Sequence, residues 1–420
     1  MLTSDARRAK RADKRRRQPE RAEMLIAVIA DDLTGAADTG VQFVHAGYRT
    51  AVYFRATEML ADALDAVAFD TDSRAMPAGF AAKRVLDAAY VASGARIVYK
   101  KLDSTLRGNV AAELAAALGG ARRDRVVVAP AFPAAGRTTV GGIQRVHGVP
   151  VEETEMANDP HTPVREAHVP RLLAHAFSSV GTLSVEDLAD HELVRRALED
   201  YECVVADAEG DADLEALVRA VPDPARVLWA GSAGLALALG SVYPGPCVGD
   251  ASVHRAPVRP VLVVVGSLSG VAREQVRRLV EAYGEVDIPV HGKDPNAVQN
   301  AVGAARKALA GGTCAVVRSP EERVASSESV LGDLTEVAAL LSEEGLFDGL
   351  VLTGGATAVE VARRLGASGI RLEGEVETGI PMGVLVGPRP YPIVTKAGGF
   401  GGPDTLEGAV EALSGEELNA

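Results

Sequence analysis

The feature that most constrains this chain is a repeated unit: an apolar strand that runs into a polar cluster and then a helix. The first copy is Leu25 to Ala30, followed by Asp31-Asp32-Leu33-Thr34-Gly35 and an Ala-rich helix. After a short strand at Thr50 to Phe54, the second copy is Ala66 to Phe69. It ends in Asp70-Thr71-Asp72-Ser73-Arg74, ahead of a helix from Pro77 to Ser93. The third is Arg96 to Lys100, then Lys101-Leu102-Asp103-Ser104-Thr105-Leu106-Arg107-Gly108-Asn109 and a helix from Val110 to Leu118. The fourth, Arg125 to Ala129, opens into Pro130 to Thr139. Strands alternating with helices in this way predict an α/β fold with a parallel, doubly wound sheet.

In such sheets ligands sit in the crevice beyond the carboxyl ends of the strands. All four polar clusters fall on that edge. They bring together acids (Asp31, Asp32, Asp70, Asp72, Asp103), cations (Arg74, Lys100, Lys101, Arg107, Arg137) and hydroxyls. Successive strand residues point to opposite faces, so one of Asp31 and Asp32 is expected to face the crevice. The other would hold the loop by accepting backbone N–H bonds. A plainer reading has both acids capping the helix, with Thr34 as N-cap.

A chain of 420 residues exceeds what one core organises and predicts two or three domains. The net charge of −13 argues against nucleic acid as a partner of the folded body. Residues 1–23 differ, with nine Lys and Arg against four acids. They lack the apolar stretch of a secretion signal and cannot bury a core, so a disordered basic tail is expected. No run of about 18 apolar residues occurs, so no membrane partner is expected. Three widely spaced cysteines (Cys203, Cys247, Cys314) fit a reducing, cytoplasmic setting. The eight histidines show no ligand spacing, and no structural metal is expected.

Gly141 to Pro163 reads as an irregular excursion, either a lid or a surface loop. Alternation resumes at Cys203 to Asp207 and at Val227 to Ala230, and Tyr243 to Pro260 is Pro/Gly-rich. These features place one domain at 24–245, a linker at 246–260 and a second domain at 261–420. The second domain opens with Val261 to Val265, Gly266-Ser267-Leu268-Ser269-Gly270 and a helix. Leu350 to Leu352 then runs into Thr353-Gly354-Gly355-Ala356-Thr357 and another helix. Small residues between strand and helix let backbone N–H groups approach an anion, and two such turns fit a polyphosphate. Neither turn is GxGxxG or GxxxxGKS/T. Near the end, Lys396-Ala397-Gly398-Gly399-Phe400-Gly401-Gly402 puts a charge partner beside a glycine loop able to wrap phosphates or ribose.

Taken together, IADDLTGAADTG, DTDSR, YKKLDSTLRGN, PAFPAAGRTTVGG and the ETE, NDP and PV segment resemble the four-carbon acid sugar kinase family. GSLSG, TGGATA and TKAGGFG resemble that family's nucleotide-binding half, so the likeness runs from about residue 25 to about 410. It implies two domains, each with a mainly parallel sheet flanked by helices, and an active site in the cleft between them. It also implies ATP-dependent phosphorylation of the terminal hydroxyl of D-threonate, D-erythronate or a 3-oxo-tetronate. Carried over residue by residue, ATP contacts fall at Ser267 or Ser269, at Gly354, Gly355, Ala356 and Thr357, and at Gly398 or Gly399. Ala356 stands where the family often has Glu, so only backbone contacts carry over there.

Phosphoryl transfer needs in-line positioning and charge stabilisation more than covalent chemistry. A carboxylate that takes the acceptor's proton is expected from Asp32 or Asp31, with Asp103 as the rival. The substrate's own carboxylate calls for a bidentate cation, for which Arg74 and Arg107 are the candidates, then Lys101, with Ser104 beside them. Mg2+ is expected to bridge the ATP phosphates, with no residue singled out as its ligand. The expected partners are a sugar acid, ATP and a second copy of the chain in a homodimer. A phosphatase acting on sugar-acid phosphates is the rival enzyme class, weakened because Asp31-Asp32 lacks DxD spacing. A non-catalytic metabolite sensor is the rival outside enzymology.

Overall fold

The strands form where β-branched and small apolar residues run unbroken, as in Val261–Val265, which is buried along its whole length. The computed structural model describes residues 24–59, 64–247, 256–283, 287–290, 296–311, 314–321 and 327–415. The basic segment 1–23, and 248–255 of the expected linker, lie outside the described residues.

The front half runs β1 (Ile26–Ala30), α1 (Leu33–His45), β2 (Thr50–Tyr53), β3 (Ala66–Asp70), α2 (Ala78–Ala92), β4 (Ile97–Lys101), α3 (Val110–Ala121) and β5 (Arg125–Ala129). It continues through β6 (Arg137–Val140), β7 (Ile143–Val146), β8 (Val149–Pro150), α4 (Val169–Leu173), β9 (Val180–Leu183) and α5 (His191–Asp200). It closes with β10 (Cys203–Ala206), α6 (Asp211–Ala220), β11 (Val227–Gly231) and α7 (Ala233–Val242). The rear half opens with β12 (Val261–Val265), α8 (Gly270–Tyr283), β13 (Asp287–Pro289), α9 (Ala297–Ala310), β14 (Cys314–Arg318), α10 (Ser327–Glu343) and β15 (Gly349–Thr353). It ends with α11 (Gly355–Arg364), β16 (Gly369–Glu375), β17 (Pro381–Val386), β18 (Pro392–Lys396) and α12 (Thr405–Ser414).

The main sheet has the order β13-β14-β12-β15-β18-β17-β16-β2-β3-β1-β4-β11-β5-β10-β9. The stretch from β2 to β9 is parallel throughout. So is the stretch from β13 to β18. The mainly parallel α/β reading therefore holds, with one refinement: the halves share a continuous sheet. The antiparallel hairpin β16–β17 joins them, pairing with β2 on one side and β18 on the other. At that seam a Cβ on Gly369 would lie 2.1 Å from the Val52 carbonyl oxygen, so the close approach needs glycine.

Alternation along β1 sorts its side chains. Ile26, Val28 and Ala30 join a core that continues under both halves, while Ala27 and Ile29 join a second core beneath α2 and α3. Gly141–Pro163 is more regular than expected. Two hairpins, β6–β7 and β7–β8, turn through Gly141-Gly142 and His147-Gly148. All four of these residues have positive φ, as a two-residue hairpin turn requires.

Each half has its own reversal of strand order. In the front half β1 lies between β3 and β4, and in the rear β12 lies between β14 and β15. Ligand crevices open at such switch points. Asp32 and Lys101 end up beside the first, and Gly266 and Gly354 beside the second.

Candidate active site

Three parallel strands end together at the front crevice, and their terminal residues interlock. Asp32 is the N-cap of α1, where its Oδ1 accepts the Gly35 N–H at 2.7 Å. Thr34, the cap in the plainer reading, lies inside the helix, because the extended conformation that a cap needs falls at Asp32. Arg74, carried past the end of β3, donates to Asp31 at 2.7 and 2.9 Å. Its third nitrogen meets Asp32 at 2.5 Å, and Asp103 lies 3.6 Å away. Arg107 donates to Asp103 at 2.8 Å and lies 3.6 Å from Asp159. Asp103 also accepts the Thr105 backbone N–H at 2.9 Å and the Thr105 hydroxyl.

These contacts divide the acids. Burial would raise Asp31, but the Arg74 guanidinium overrides it and holds the carboxyl below the ordinary range. Asp103 is likewise buried, yet Arg74 and Arg107 hold it well below its usual value. Asp32 goes the other way, because burial and the neighbouring Asp31 outweigh the pull of Arg74 and Lys101. Burial also pushes Asp38 up to about 6 and Asp70 up to about 8.

The cations divide too. Arg74 and Arg107 are engaged by carboxylates, whereas the Lys101 ammonium donates only to the Leu102 carbonyl, at 2.9 Å. Arg137 bonds the Ala135 carbonyl, and its Nε is buried without a partner. Neither Lys101 nor Arg137 forms an ion pair among the described residues.

In the rear half three glycine turns interlock. The Ser269 hydroxyl donates to the Gly398 carbonyl at 2.5 Å, and the Ser267 Oγ accepts the Ser269 N–H at 3.2 Å. A Cβ on Gly398 would lie 1.9 Å from Ser267 Oγ, and one on Gly266 would lie 1.9 Å from Thr357 Oγ1. Gly354, with φ of 102°, turns β15 into α11 so that the helix begins at once.

One cavity of about 900 Å³ collects groups from both halves. Of the residues singled out in the sequence, Asp32, Arg74, Lys101, Asp103, Ser104 and Arg107 line it from the front. Gly355, Ala356, Gly398 and Gly399 line it from the rear. Asp31 is buried behind this wall, so the alternation argument holds, although its carboxylate is held by Arg74 and not by backbone N–H groups. Ser267 faces a side cavity of about 230 Å³, and Thr357 faces another of about 240 Å³ that shares Ala356 and Leu331 with the large one. Ser269 and Gly354 shape the turns from behind. Sequence reasoning missed Asp38 and Arg363, which also line the large cavity. Helical spacing carried the signal for both: Asp38 stands four residues after Thr34, and Arg363 four after Val359.

Two family models cover most of the chain. The sugar-binding N-terminal domain matches residues 26–239 and the nucleotide-binding C-terminal domain matches residues 262–406. The chain belongs to the four-carbon acid sugar kinase family. A D-threonate kinase of Bordetella bronchiseptica is 40% identical to it, over 92% of this chain and 97% of that protein. A D-threonate kinase of Salmonella typhimurium is 36% identical, over 91% of this chain and 97% of that protein. A solved structure described as a putative tRNA synthase from Salmonella typhimurium LT2 superposes with a TM-score of 0.80. It covers 93% of this chain and 100% of its own at 24% identity, which is a likeness of fold. Among the described residues, no helix is long and apolar enough to cross a membrane.

Proposed function

We propose that this protein transfers the terminal phosphoryl group of ATP to the terminal hydroxyl of a four-carbon acid sugar, with D-threonate the first candidate. The observation that carries the reading is the shared cavity, with paired carboxylates and free cations on one wall and a helix N-terminus with glycine turns on the other. An anionic acceptor suits the first wall and a polyphosphate the second. The D-threonate kinases at 40% and 36% identity support the choice of acid.

In this reading Lys101 and Arg137 take the acid's carboxylate, with Arg107 beside them, while Arg74 holds the carboxylates in place. Asp32 takes the proton of the attacking hydroxyl, since burial and the neighbouring Asp31 raise its proton affinity despite its own contact with Arg74, whereas arginine holds Asp31 and Asp103 down. The new O–P bond forms as the bond from the γ-phosphorus to the β-γ bridging oxygen breaks, and ADP leaves. The backbone of Gly355, Ala356, Gly398 and Gly399 cradles the phosphates. The purine fits the apolar side cavity of Leu268, Val330, Leu331 and Leu334, next to Thr357. Mg2+ fits as a group held mainly by phosphate oxygens. No cluster of acids, His or Cys among the described residues would hold a metal alone, while Asp38 faces the cavity and offers one carboxylate. Such an ion would neutralise charge on the phosphates.

The test is ADP release from ATP and Mg2+ with D-threonate, D-erythronate and 3-oxo-tetronates, ranked by kcat/KM. Acid-dependent ADP formation is the expected result. Release of phosphate from a sugar-acid phosphate without ATP would turn the reading to a phosphatase. Tight binding of an acid without turnover would turn it to a sensor.

A further inference from the structure

Lys396 closes β18, and its residue is 3% exposed. Its Nζ is buried and has no hydrogen-bond partner among the described residues. Of the other buried lysines, Lys100 is matched by Glu113 at 3.0 Å and Lys101 donates to the Leu102 carbonyl. The carboxylate that acts on Lys396 most is Glu377, which is bonded by the Thr405 hydroxyl and makes no ion pair with the lysine. An ammonium buried without a counter-charge is costly. The fold tolerates this one at the seam between the halves.

Its surroundings favour an anion. Lys396 shares a small gap of about 10 Å³ with Leu33 and Thr34 from the first turn of α1, and with Gly355 and Ala358 from the first turns of α11. The two helix starts meet there, for a Cβ on Gly355 would lie 3.6 Å from Thr34 Oγ1. Helix N-termini carry partial positive charge and unsatisfied N–H donors. Two helix starts, that of α1 capped by Asp32, and a lysine with a buried, unpartnered ammonium line the same gap. Room for about one oxygen atom remains in the gap that Lys396 helps to line.

Resting on the kinase reading above, we infer that Lys396 is a catalytic residue that holds the phosphoryl group in transit, between the first turns of α1 and α11. It donates hydrogen bonds to a γ-oxygen while the bond to the ADP oxygen breaks and the bond to the acceptor oxygen forms. It exchanges no proton, since the hydroxyl proton goes to Asp32.

The test compares Lys396→Met and Lys396→Gln with the parent chain by steady-state kinetics, by thermal unfolding, and by titration with a non-hydrolysable ATP analogue and with AMP. Both variants are expected to lose about 100-fold or more in kcat. They should also bind the triphosphate analogue about 10-fold more weakly, with AMP affinity unchanged. Their melting temperature should hold or rise, because a buried unpaired charge has gone. Unchanged kcat and analogue binding would overturn the inference. So would a lower melting temperature with equal loss of AMP and analogue binding, which would make the lysine structural. If the parent chain turns over no acid at all, the kinase reading fails instead. The analogue-versus-AMP contrast then decides separately whether Lys396 serves a terminal phosphate.

Discussion

Arg74 grips Asp31 through two parallel hydrogen bonds, Nε to Oδ2 at 2.7 Å and Nη2 to Oδ1 at 2.9 Å, while its remaining nitrogen holds Asp32. One guanidinium thus balances the carboxylates of Asp31 and Asp32, with Asp103 close by. Arg74→Ala would leave three mostly buried carboxylates crowded together. It should lower unfolding free energy by about 3–5 kcal/mol at neutral pH, as when one partner of a buried pair is removed. Denaturant unfolding measures this, and Arg74→Lys should restore only part because an ammonium cannot make the fork. Equal stability of Arg74→Ala and the parent would show that the acids find another counter-charge.

Asp32→Asn isolates the proposed base from the fold. Asparagine caps helices as well as aspartate, so α1 should persist and the melting temperature should change little. Removing the proton acceptor should lower kcat about 10²- to 10⁴-fold with KM for ATP nearly unchanged. Full turnover in this variant would pass the role to Asp38 or Asp70, the other raised carboxylates lining the cavity.

The cations without carboxylate partners make a second kinetic contrast. Lys101→Met and Arg137→Met should each raise KM for the sugar acid about 10-fold or more while leaving KM for ATP within about 2-fold. The reverse ranking in either variant would move that residue to the phosphates.

Two adjacent glycines separate packing from ligand contact. A Cβ on Gly398 would collide with Ser267 Oγ, whereas one on Gly399 meets nothing within 4 Å. Gly398→Ala should therefore lower the melting temperature and weaken ATP binding together. Gly399→Ala should leave the melting temperature alone and act, if at all, on nucleotide affinity. Thermal unfolding with and without nucleotide reads both effects.

Asp70 gives a pH dependence. Burial raises its carboxyl from 3.8 to about 8, so between those values the folded chain keeps a proton that the unfolded chain has released. Stability from this group is then present below the unfolded pKa and declines as pH rises towards about 8. Asp70→Asn keeps an oxygen for the Asp72 N–H, now 2.8 Å away, and cannot ionise. Its melting temperature relative to the parent should climb from pH 4 to pH 8. A constant difference across that range would show that Asp70 titrates normally.

The sequence by itself determined the strands, the turns that end them and the edge on which the polar clusters gather. These follow from local patterns: apolar runs make parallel strands, and the chain must turn where acids or glycines interrupt them. Asp32, Lys101, Gly355 and Gly398 were legible for that reason. The hairpins at Gly141-Gly142 and His147-Gly148 were less so, because a β-ribbon of polar residues has no strong apolar alternation to announce it.

Tertiary structure alone decided which charges cancel. Arg74 looks like a free cation in the sequence, but the register of β1 between β3 and β4 brings Asp31, Asp32 and Asp103 within its reach, while Arg107 turns back onto Asp103 four residues before it. Among the described residues, Lys101, Arg137 and Lys396 are left without such partners. The joining of both halves through β16 and β2, and the meeting of the α1 and α11 starts, were equally invisible. The physical reason is range. Periodicity and turn chemistry act over a few residues, whereas the Arg74 ion pairs and the joined sheet edges depend on segments far apart in the chain being folded against each other.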